Sequence, residues 1–169
     1  MQQPLPATRS CFVCGQHNAA GLRLSFETDG RSVRGRWVPQ PEHVGFKGTI
    51  HGGLSATLLD EVMTWACGVS AGKFCFCAEM TVRYLRPLAP GREVEVCAEL
   101  VANRRGKLLE ARAELRGPDG VLHCAATGKY VPMPPGTQAD VLEEFVGDVS
   151  MIIRDTPRAE SRSAGDARS

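Results

Sequence analysis

The chain has 169 residues, an apolar fraction of 43% and a formal net charge of +1, which together indicate one globular domain. The near-neutral charge gives no sign of nucleic-acid or membrane-surface binding, and no run of about 18 apolar residues is present. Because residues 1–10 lack an apolar signal sequence, we expect a cytoplasmic protein whose seven cysteines are free thiols.

The N-terminal part of the chain predicts a leader followed by two strands. Residues 1–10 contain prolines and few apolar residues, and are predicted to be a flexible leader to a domain spanning 11–135. Alternation of Leu22, Leu24 and Phe26 with polar residues predicts a strand. The Asp29-Gly30 turn predicts a hairpin into a second alternating segment, 33–37.

A long apolar helix is predicted after a His51-Gly52-Gly53 turn. Eight of the residues from 54 to 66 are apolar and lie nearly all round the helix, which predicts burial on most faces. Asp60 lies in the middle of this helix, where a carboxylate is costly unless it has a role. Glycines at the helix start would let a ligand carbonyl approach the free backbone N–H groups of the first turn.

Four further strands are predicted after the helix, because apolar and polar residues alternate along each of them. Such alternation favours antiparallel strands with one solvated face. A short helix is predicted within 136–154, and 155–169 is predicted to be a disordered tail. The four predicted strands span about 74–85, 93–101, 107–116 and 121–131.

The chain resembles the PaaI-like acyl-CoA thioesterases of the 4-hydroxybenzoyl-CoA thioesterase superfamily. In that family His-Gly-Gly opens the central helix and an acid follows nine residues after the His, as Asp60 follows His51 here. The segment Thr81–Pro87 is similar to the strand that follows the helix in those proteins, and the resemblance covers roughly 11–133. It implies an α+β hotdog fold, in which an antiparallel sheet wraps around one long helix.

The resemblance also implies a role for each matched residue. The Gly52 N–H would polarise the thioester carbonyl, with Gly53 beside it in the same turn. Asp60 would be the general base that activates water, or a nucleophile. Thr64 would hold the attacking water, and His51 would shape the turn and contact the substrate.

Two positions depart from the family pattern. Gly45 stands where many relatives carry Asn or Gln, and Cys77 stands where many carry Ser or Thr. A thiol is a weak donor and acceptor, so we expect the chain to depend more on Thr64 than on Cys77 for holding water. A catalytic nucleophile is the alternative role for Cys77, with a nearby histidine as its base.

Basic residues at two places could bind the phosphates of coenzyme A. Arg104 and Arg105 form either such a clamp or a solvated hairpin tip, and Arg83 and Arg86 are candidates for the same role.

The resemblance implies hydrolysis of an acyl-CoA substrate by a homodimer or dimer of dimers, without a cofactor other than the coenzyme A arm of the substrate. A non-catalytic acyl-CoA binding module and a CoA-dependent lyase or hydratase remain alternatives on this scaffold. The pair Cys11-x-x-Cys14 has the spacing of half a zinc site, but no second pair is present, so no metal is expected.

Overall fold

A computed structural model describes residues 1–152 of the chain. Two helices and eleven strands are found there, together with a short 3₁₀ turn at Pro41–His43. The helices are α1 (Gly52–Ala71) and α2 (Pro135–Leu142). The strands are β1 (Gln3–Pro4), β2 (Ala7–Thr8), β3 (Phe26–Thr28), β4 (Ser32–Trp37), β5 (Val44–Phe46), β6 (Thr49–Ile50), β7 (Cys75–Tyr84), β8 (Val94–Arg104), β9 (Leu108–Arg116), β10 (Leu122–Pro132) and β11 (Phe145–Val146).

Seven strands form one antiparallel sheet in the order β1-β3-β4-β8-β9-β10-β7. The four predicted strands after the helix are confirmed as β7 to β10, and β4 confirms the second strand of the N-terminal hairpin. Helix α1 packs against β4 and β7 to β10, so the sheet wraps around it as predicted. The arrangement leaves β7 as an edge strand of the sheet.

The Cys67-Gly68 pair of the sequence predicts the end of helix α1, but the helix continues to Ala71. The His51 side chain caps its first turn, and Gly72 ends it in the left-handed conformation (φ 67°), with its N–H donating to the Gly68 carbonyl. Four fully buried side chains, at Leu58, Leu59, Val62 and Met63, fix the helix in the core. Burial on most faces agrees with the apolar residues all round the predicted helix.

The inner face of the sheet carries small side chains where α1 crosses it. Alternate residues of β8, β9 and β10 are buried, as expected for strands with one solvated face. Four of these inward positions are alanines, which lets the helix backbone approach the sheet closely. They are Ala98, Ala111, Ala113 and Ala126.

The N-terminal segment is part of the fold rather than a flexible leader. Strand β1 pairs with β3, β2 pairs with β11, and the Leu5 side chain is buried. The strand predicted at 22–26 begins only at Phe26, because Leu22 and Leu24 instead donate their N–H groups to the carbonyls of Phe12 and Val13.

The C-terminal segment also differs from its prediction. The short helix ends at Leu142, and β11 follows it against β2. The disordered tail predicted for 155–169 lies outside the described residues. Within 1–152, no helix is long and apolar enough to cross a bilayer.

Candidate active site

Asp60 receives a hydrogen bond from a buried tyrosine on the sheet. The Tyr130 hydroxyl donates to the Asp60 Oδ1 atom at 2.9 Å, and the ring is fully buried. Burial and the neighbouring Asp60 carboxylate raise the pKa of Tyr130, so the hydroxyl stays protonated and keeps donating. The hydrogen bond from Tyr130 therefore holds the Asp60 carboxylate from the side of the sheet, while Asp60 itself remains half-buried.

A glycine makes room for the tyrosine ring. A Cβ atom at Gly128 would lie 2.6 Å from the Tyr130 ring, so a side chain at this position would displace it. Sequence reasoning missed Tyr130. The only signal was its place in the inward-facing alternation of β10, where an aromatic residue with a polar tip usually has a hydrogen-bond partner when buried.

Cys77 lies beside Asp60 and Tyr130 because of a bulge in β7. Tyr130 pairs with Cys77 while Lys129 pairs with Glu79, so Ala78 is an extra residue in the strand. The bulge turns Cys77 to the same face as Tyr130, whereas Glu79 faces the other way and contacts Lys129. Burial, then the negative charge of Asp60, raises the pKa of the Cys77 thiol. A protonated thiol is a poor nucleophile, which argues against the nucleophile alternative.

The start of α1 presents a free backbone donor. His51 Nδ1 accepts a hydrogen bond from the Gly53 N–H at 3.0 Å, which fixes the imidazole within the turn. The Tyr84 hydroxyl donates to the Gly52 carbonyl at 3.0 Å. The Gly52 N–H has no acceptor within the part of the chain that the structure describes, so it is available to a ligand at the positive end of the helix dipole.

Two other predicted site residues have clear structural partners. Gly45 lies against His51, where a Cβ atom would be 2.9 Å from the imidazole ring, which explains why no Asn or Gln side chain stands here. The Thr64 hydroxyl donates to the main-chain carbonyl of Asp60 at 3.0 Å rather than to its carboxylate. No hydrogen bond joins the Thr64 hydroxyl to the Asp60 carboxylate within residues 1–152, and its role in holding water stays a prediction.

The four candidate arginines lie at different places. Arg83 and Arg86 are exposed beside Tyr84, near the His51 turn. Arg104 forms an exposed salt bridge of 3.0 Å with Glu110, and Arg105 lies in the same hairpin tip. This agrees with the solvated-tip interpretation for Arg104.

A second acidic residue of α1 faces another cluster. Glu61 accepts hydrogen bonds from the Trp65 indole at 3.0 Å and from the Cys11 thiol at 3.6 Å. Burial raises the pKa of Glu61 to about 7, while hydrogen bonds, led by that with Cys14, lower the pKa of Cys11 to about 5. The hydrogen bond with Cys11, followed by burial, raises the pKa of Cys14. A cavity of about 230 Å³ adjoins this cluster.

A large concavity of the single chain does not contain the Asp60 cluster. It has a volume of about 880 Å³ and lies on β3 and β4, lined by residues such as Phe26, Arg34 and Trp37. The Asp60 cluster instead lies at the open β7 edge of the sheet.

An antiparallel sheet wrapped around a single long helix, with a His-Gly-Gly turn at the helix start, defines the hotdog class of folds. Solved structures agree with this assignment. The protein RHA08564, described as a thioesterase superfamily protein, superposes with a TM-score of 0.67 and 30% identity over 74% of this chain and 61% of its own. PaaI of Escherichia coli, from the phenylacetic acid degradation operon, gives 0.61 and 17% identity over 67% and 81%.

A protein of Streptococcus pneumoniae described as a hypothetical thioesterase, solved with coenzyme A, superposes with a TM-score of 0.57 and 18% identity over 61% of this chain and 82% of its own.

Sequence relatives point to the same family. The family model described as "Thioesterase superfamily" matches residues 47–124. A putative esterase of Caenorhabditis elegans, F42H10.6, is 32% identical over 113 residues, which is 64% of this chain and 66% of that protein. Acyl-coenzyme A thioesterase 13 of Mus musculus is 32% identical over 71 residues, or 41% and 49%. The chain thus spans just under two thirds and about half of these relatives, and it is similar to members of the thioesterase superfamily.

Proposed function

We propose that this protein hydrolyses an acyl-CoA thioester to a free acid and coenzyme A. The observation that carries the proposal is the Asp60 carboxylate, held by Tyr130 and left open at the sheet edge. The match to the thioesterase family model, the thioesterase named among the relatives and the neighbour solved with coenzyme A support the substrate class. The acyl group is the part of the substrate that remains to be identified by assay.

The chemistry follows from two groups. Asp60 takes a proton from a water molecule, and the resulting hydroxide attacks the thioester carbon. The Gly52 N–H donates to the carbonyl oxygen, which becomes negative in the tetrahedral intermediate. The carbon–sulfur bond then breaks, the acid leaves, and the departing coenzyme A thiolate takes up the proton that Asp60 removed from water.

The two groups are too far apart to act together within one chain. Gly52 and Asp60 are separated by eight residues of one helix, or about 12 Å along its axis. A thioester carbonyl bound by the Gly52 N–H would therefore lie out of reach of a water held by Asp60 of the same chain. The proposed site needs a second subunit that supplies one of the two groups.

Strand β7 offers the surface for that second subunit. It is an edge strand with large exposed apolar side chains, among them Phe76 at 47% and Tyr84 at 56% exposure. Antiparallel pairing of β7 with its own copy would bring the Tyr84 end of one strand towards the Cys77 end of the other. Because Tyr84 contacts Gly52 and Cys77 contacts Asp60, this pairing places the partner's Gly52 near Asp60. We therefore propose a homodimer, or a dimer of dimers, as the active form.

The same arrangement places two arginines at the entrance to the site. Arg83 and Arg86 are exposed at the Tyr84 end of β7, beside the helix start where the thioester carbonyl would bind. Guanidinium groups there suit the phosphates of the coenzyme A arm. We expect Arg83→Ala and Arg86→Ala to raise KM more than Arg104→Ala, whose side chain is already paired with Glu110.

Turnover of a panel of acyl-CoA esters, followed by release of the coenzyme A thiol, tests the proposal directly. Saturable hydrolysis of at least one ester supports it. Tight acyl-CoA binding without thiol release would instead establish the non-catalytic binding module, and consumption of substrate without thiol release would indicate a lyase or hydratase. A single turnover in ¹⁸O-labelled water separates the two roles of Asp60, because a general base puts the label directly into the acid.

Mixed dimers test whether the site lies between subunits. Gly52→Pro removes the N–H and is tolerated at the first position of a helix, while Asp60→Asn removes the base. Co-expressed chains carrying one change each would form mixed dimers in which one site has both native groups. Random pairing predicts recovery of about a quarter of native activity, although each variant alone is inactive. Absence of recovery in isolated mixed dimers would contradict the shared site.

A further inference from the structure

The Cys11–Gly15 turn holds two sulfur atoms together before any ligand arrives. The Val13 N–H donates to the Cys11 sulfur at 3.3 Å, and the Gly15 N–H donates to the Cys11 carbonyl at 2.9 Å. A Cβ atom at Gly15 would lie 2.2 Å from that carbonyl oxygen, so the turn requires glycine there. Backbone donors directed at sulfur favour the thiolate, which is the form that binds metal ions.

A third donor atom comes from the central helix. One ligand atom each from Cys11, Cys14 and Glu61 lie within 4.8 Å of one another. The Cys11 sulfur is 3.6 Å and 3.7 Å from the two Glu61 carboxylate oxygens. Two ligands of a tetrahedral zinc ion, at about 2.3 Å for sulfur and about 2.0 Å for oxygen, lie about 3.5 Å apart. The observed spacing therefore matches that of a zinc site with little rearrangement.

The half-buried Glu61 carboxylate has no cationic side chain as a partner within residues 1–152. Its Oε1 atom accepts from the Trp65 indole, which orients the carboxylate, and both carboxylate oxygens lie within 3.7 Å of the Cys11 sulfur. A carboxylate in such a place is stabilised by a bound cation. The Trp65 N–H then acts as the outer hydrogen bond that commonly fixes a metal-binding carboxylate.

We propose that Cys11, Cys14 and Glu61 bind one zinc ion, with a water molecule as the fourth ligand. Two thiolates select zinc over the harder magnesium and calcium ions. The adjoining cavity of about 230 Å³ has room for the water, and the Thr8 hydroxyl, 3.3 Å from the Cys14 sulfur, also faces this cluster. The sequence predicted no metal because no second cysteine pair follows, but the third ligand comes from a helix far along the chain.

The proposed ion would link the N-terminal segment to α1. Cys11 and Cys14 follow β2, whereas Glu61 lies on the helix next to Asp60, so the ion would join two elements that otherwise meet only through packing and hydrogen bonds. Successive residues on a helix point roughly 100° apart, and Glu61 accordingly faces away from the Tyr130 cluster. The proposed ion therefore lies away from the Tyr130 cluster, and its binding is independent of the proposed hydrolysis.

Zinc binding by the reduced full chain tests this inference. The protein is stripped with a chelator, its affinity tag is removed, and zinc alone is added in competition with a chromophoric chelator. We expect one zinc ion per chain, and a rise in Tm of about 5–10 °C when zinc exceeds Kd about a hundredfold. Cobalt in place of zinc should give the absorption band of sulfur-to-cobalt charge transfer.

Three variants locate the ion. Cys14→Ser should abolish stoichiometric binding, and Glu61→Gln should weaken it at least about tenfold, since a neutral amide replaces a carboxylate ligand. Cys97→Ser, a partly buried cysteine of β8, is the matched control and should bind zinc as the native chain does. Native protein without a cobalt–sulfur band, or equal binding by native protein and Cys14→Ser, would show a metal-free hydrogen-bonded cluster and overturn the proposal. If Cys14→Ser fails to fold, the cobalt spectrum and Glu61→Gln still decide the matter.

Discussion

Two neighbouring acids of one helix, Asp60 and Glu61, lie in different chemical surroundings. Asp60 accepts a hydrogen bond from a tyrosine hydroxyl and lies at the open edge of the sheet. Glu61 accepts from an indole N–H and faces two thiols of the N-terminal segment. At Asp60, the Tyr130 hydroxyl stays protonated and donates to one carboxylate oxygen, which leaves the other oxygen free for a proton transfer. At Glu61, the surroundings supply soft ligand atoms, which suit a metal ion.

The difference shows that the partners of a carboxylate decide its role more than its place in the sequence does. Both residues are acids on an otherwise apolar helix, and both are costly to bury. The change of direction by roughly 100° between successive helix residues is sufficient to separate them. Each of the predictions below removes one partner or one acid, and so tests whether the two environments are independent.

Asp60→Asn should have the largest effect. The amide keeps the shape and the contact with Tyr130 but removes the base, so kcat should fall by about 10²–10⁴-fold. Zinc affinity should be unchanged, because the amide lies on the other side of the helix. Glu99→Gln, which removes a partly exposed acid of β8 that pairs with Arg112, is the control and should keep native activity. Near-native turnover by Asp60→Asn would show that the carboxylate is structural.

Gly52→Pro should have the next largest effect. It removes the free N–H and should lower kcat by about 10²–10³-fold, the usual result of losing one oxyanion donor. Gly52→Ala is the matched control, since it adds a Cβ atom that meets the Tyr84 ring at 3.2 Å but retains the N–H. Equal losses in the two variants would assign the effect to crowding of Tyr84 rather than to the donor.

Tyr130→Phe should have a smaller effect on turnover. The ring stays in its space beside Gly128, but the hydrogen bond to the Asp60 carboxylate is lost. A hydrogen bond to a charged group contributes about 1.5–3 kcal/mol, so we expect kcat to fall about 10–100-fold with KM nearly unchanged. A rise in KM with native kcat would instead place Tyr130 in substrate binding.

Cys77 and Thr64 should show the smallest effects. Sequence reasoning expected Thr64 to matter more, but its hydroxyl donates to a main-chain carbonyl, whereas Cys77 lies beside Asp60. We therefore expect Cys77→Ala to cost a few-fold and Thr64→Val less, with Cys77→Ser neutral or mildly activating. An inactive Cys77→Ala together with acyl-CoA protection against iodoacetamide would establish the thiol as a nucleophile.

The sheet and the helix could be predicted from the sequence because their signals are local. Each of β7 to β10 alternates in its own segment, and α1 carries its apolar residues and its glycine turn within one short stretch. The N-terminal segment was mispredicted for the opposite reason. Its two-residue strands carry no periodicity, and β2 is formed only because β11 pairs with it.

Residues of the candidate site could be predicted only where they lie in the same sequence segment as a recognisable motif. Asp60 and Gly52 share a helix with the motif that identifies them, so both could be named. Tyr130 could not, because the contact joins two residues that lie 70 positions apart and leave no joint pattern in the sequence. Glu61 was overlooked as a partner of the cysteine pair for the same reason.

The bulge at Ala78 decides which side chains of β7 face the helix. Counting by twos from Glu79 would put Cys77 on the outer face, with the residues that meet solvent. The single extra residue reverses this parity for everything before it, so that Cys75 and Cys77 face the helix. A chain lacking only Ala78 would lose the bulge but keep Cys77 opposite Tyr130, whereas a strand of the same length paired without the bulge would place Ala78 opposite Tyr130 and turn Cys77 outward. In this strand, the pairing register as well as the residue types therefore decides which side chain reaches the Asp60 carboxylate.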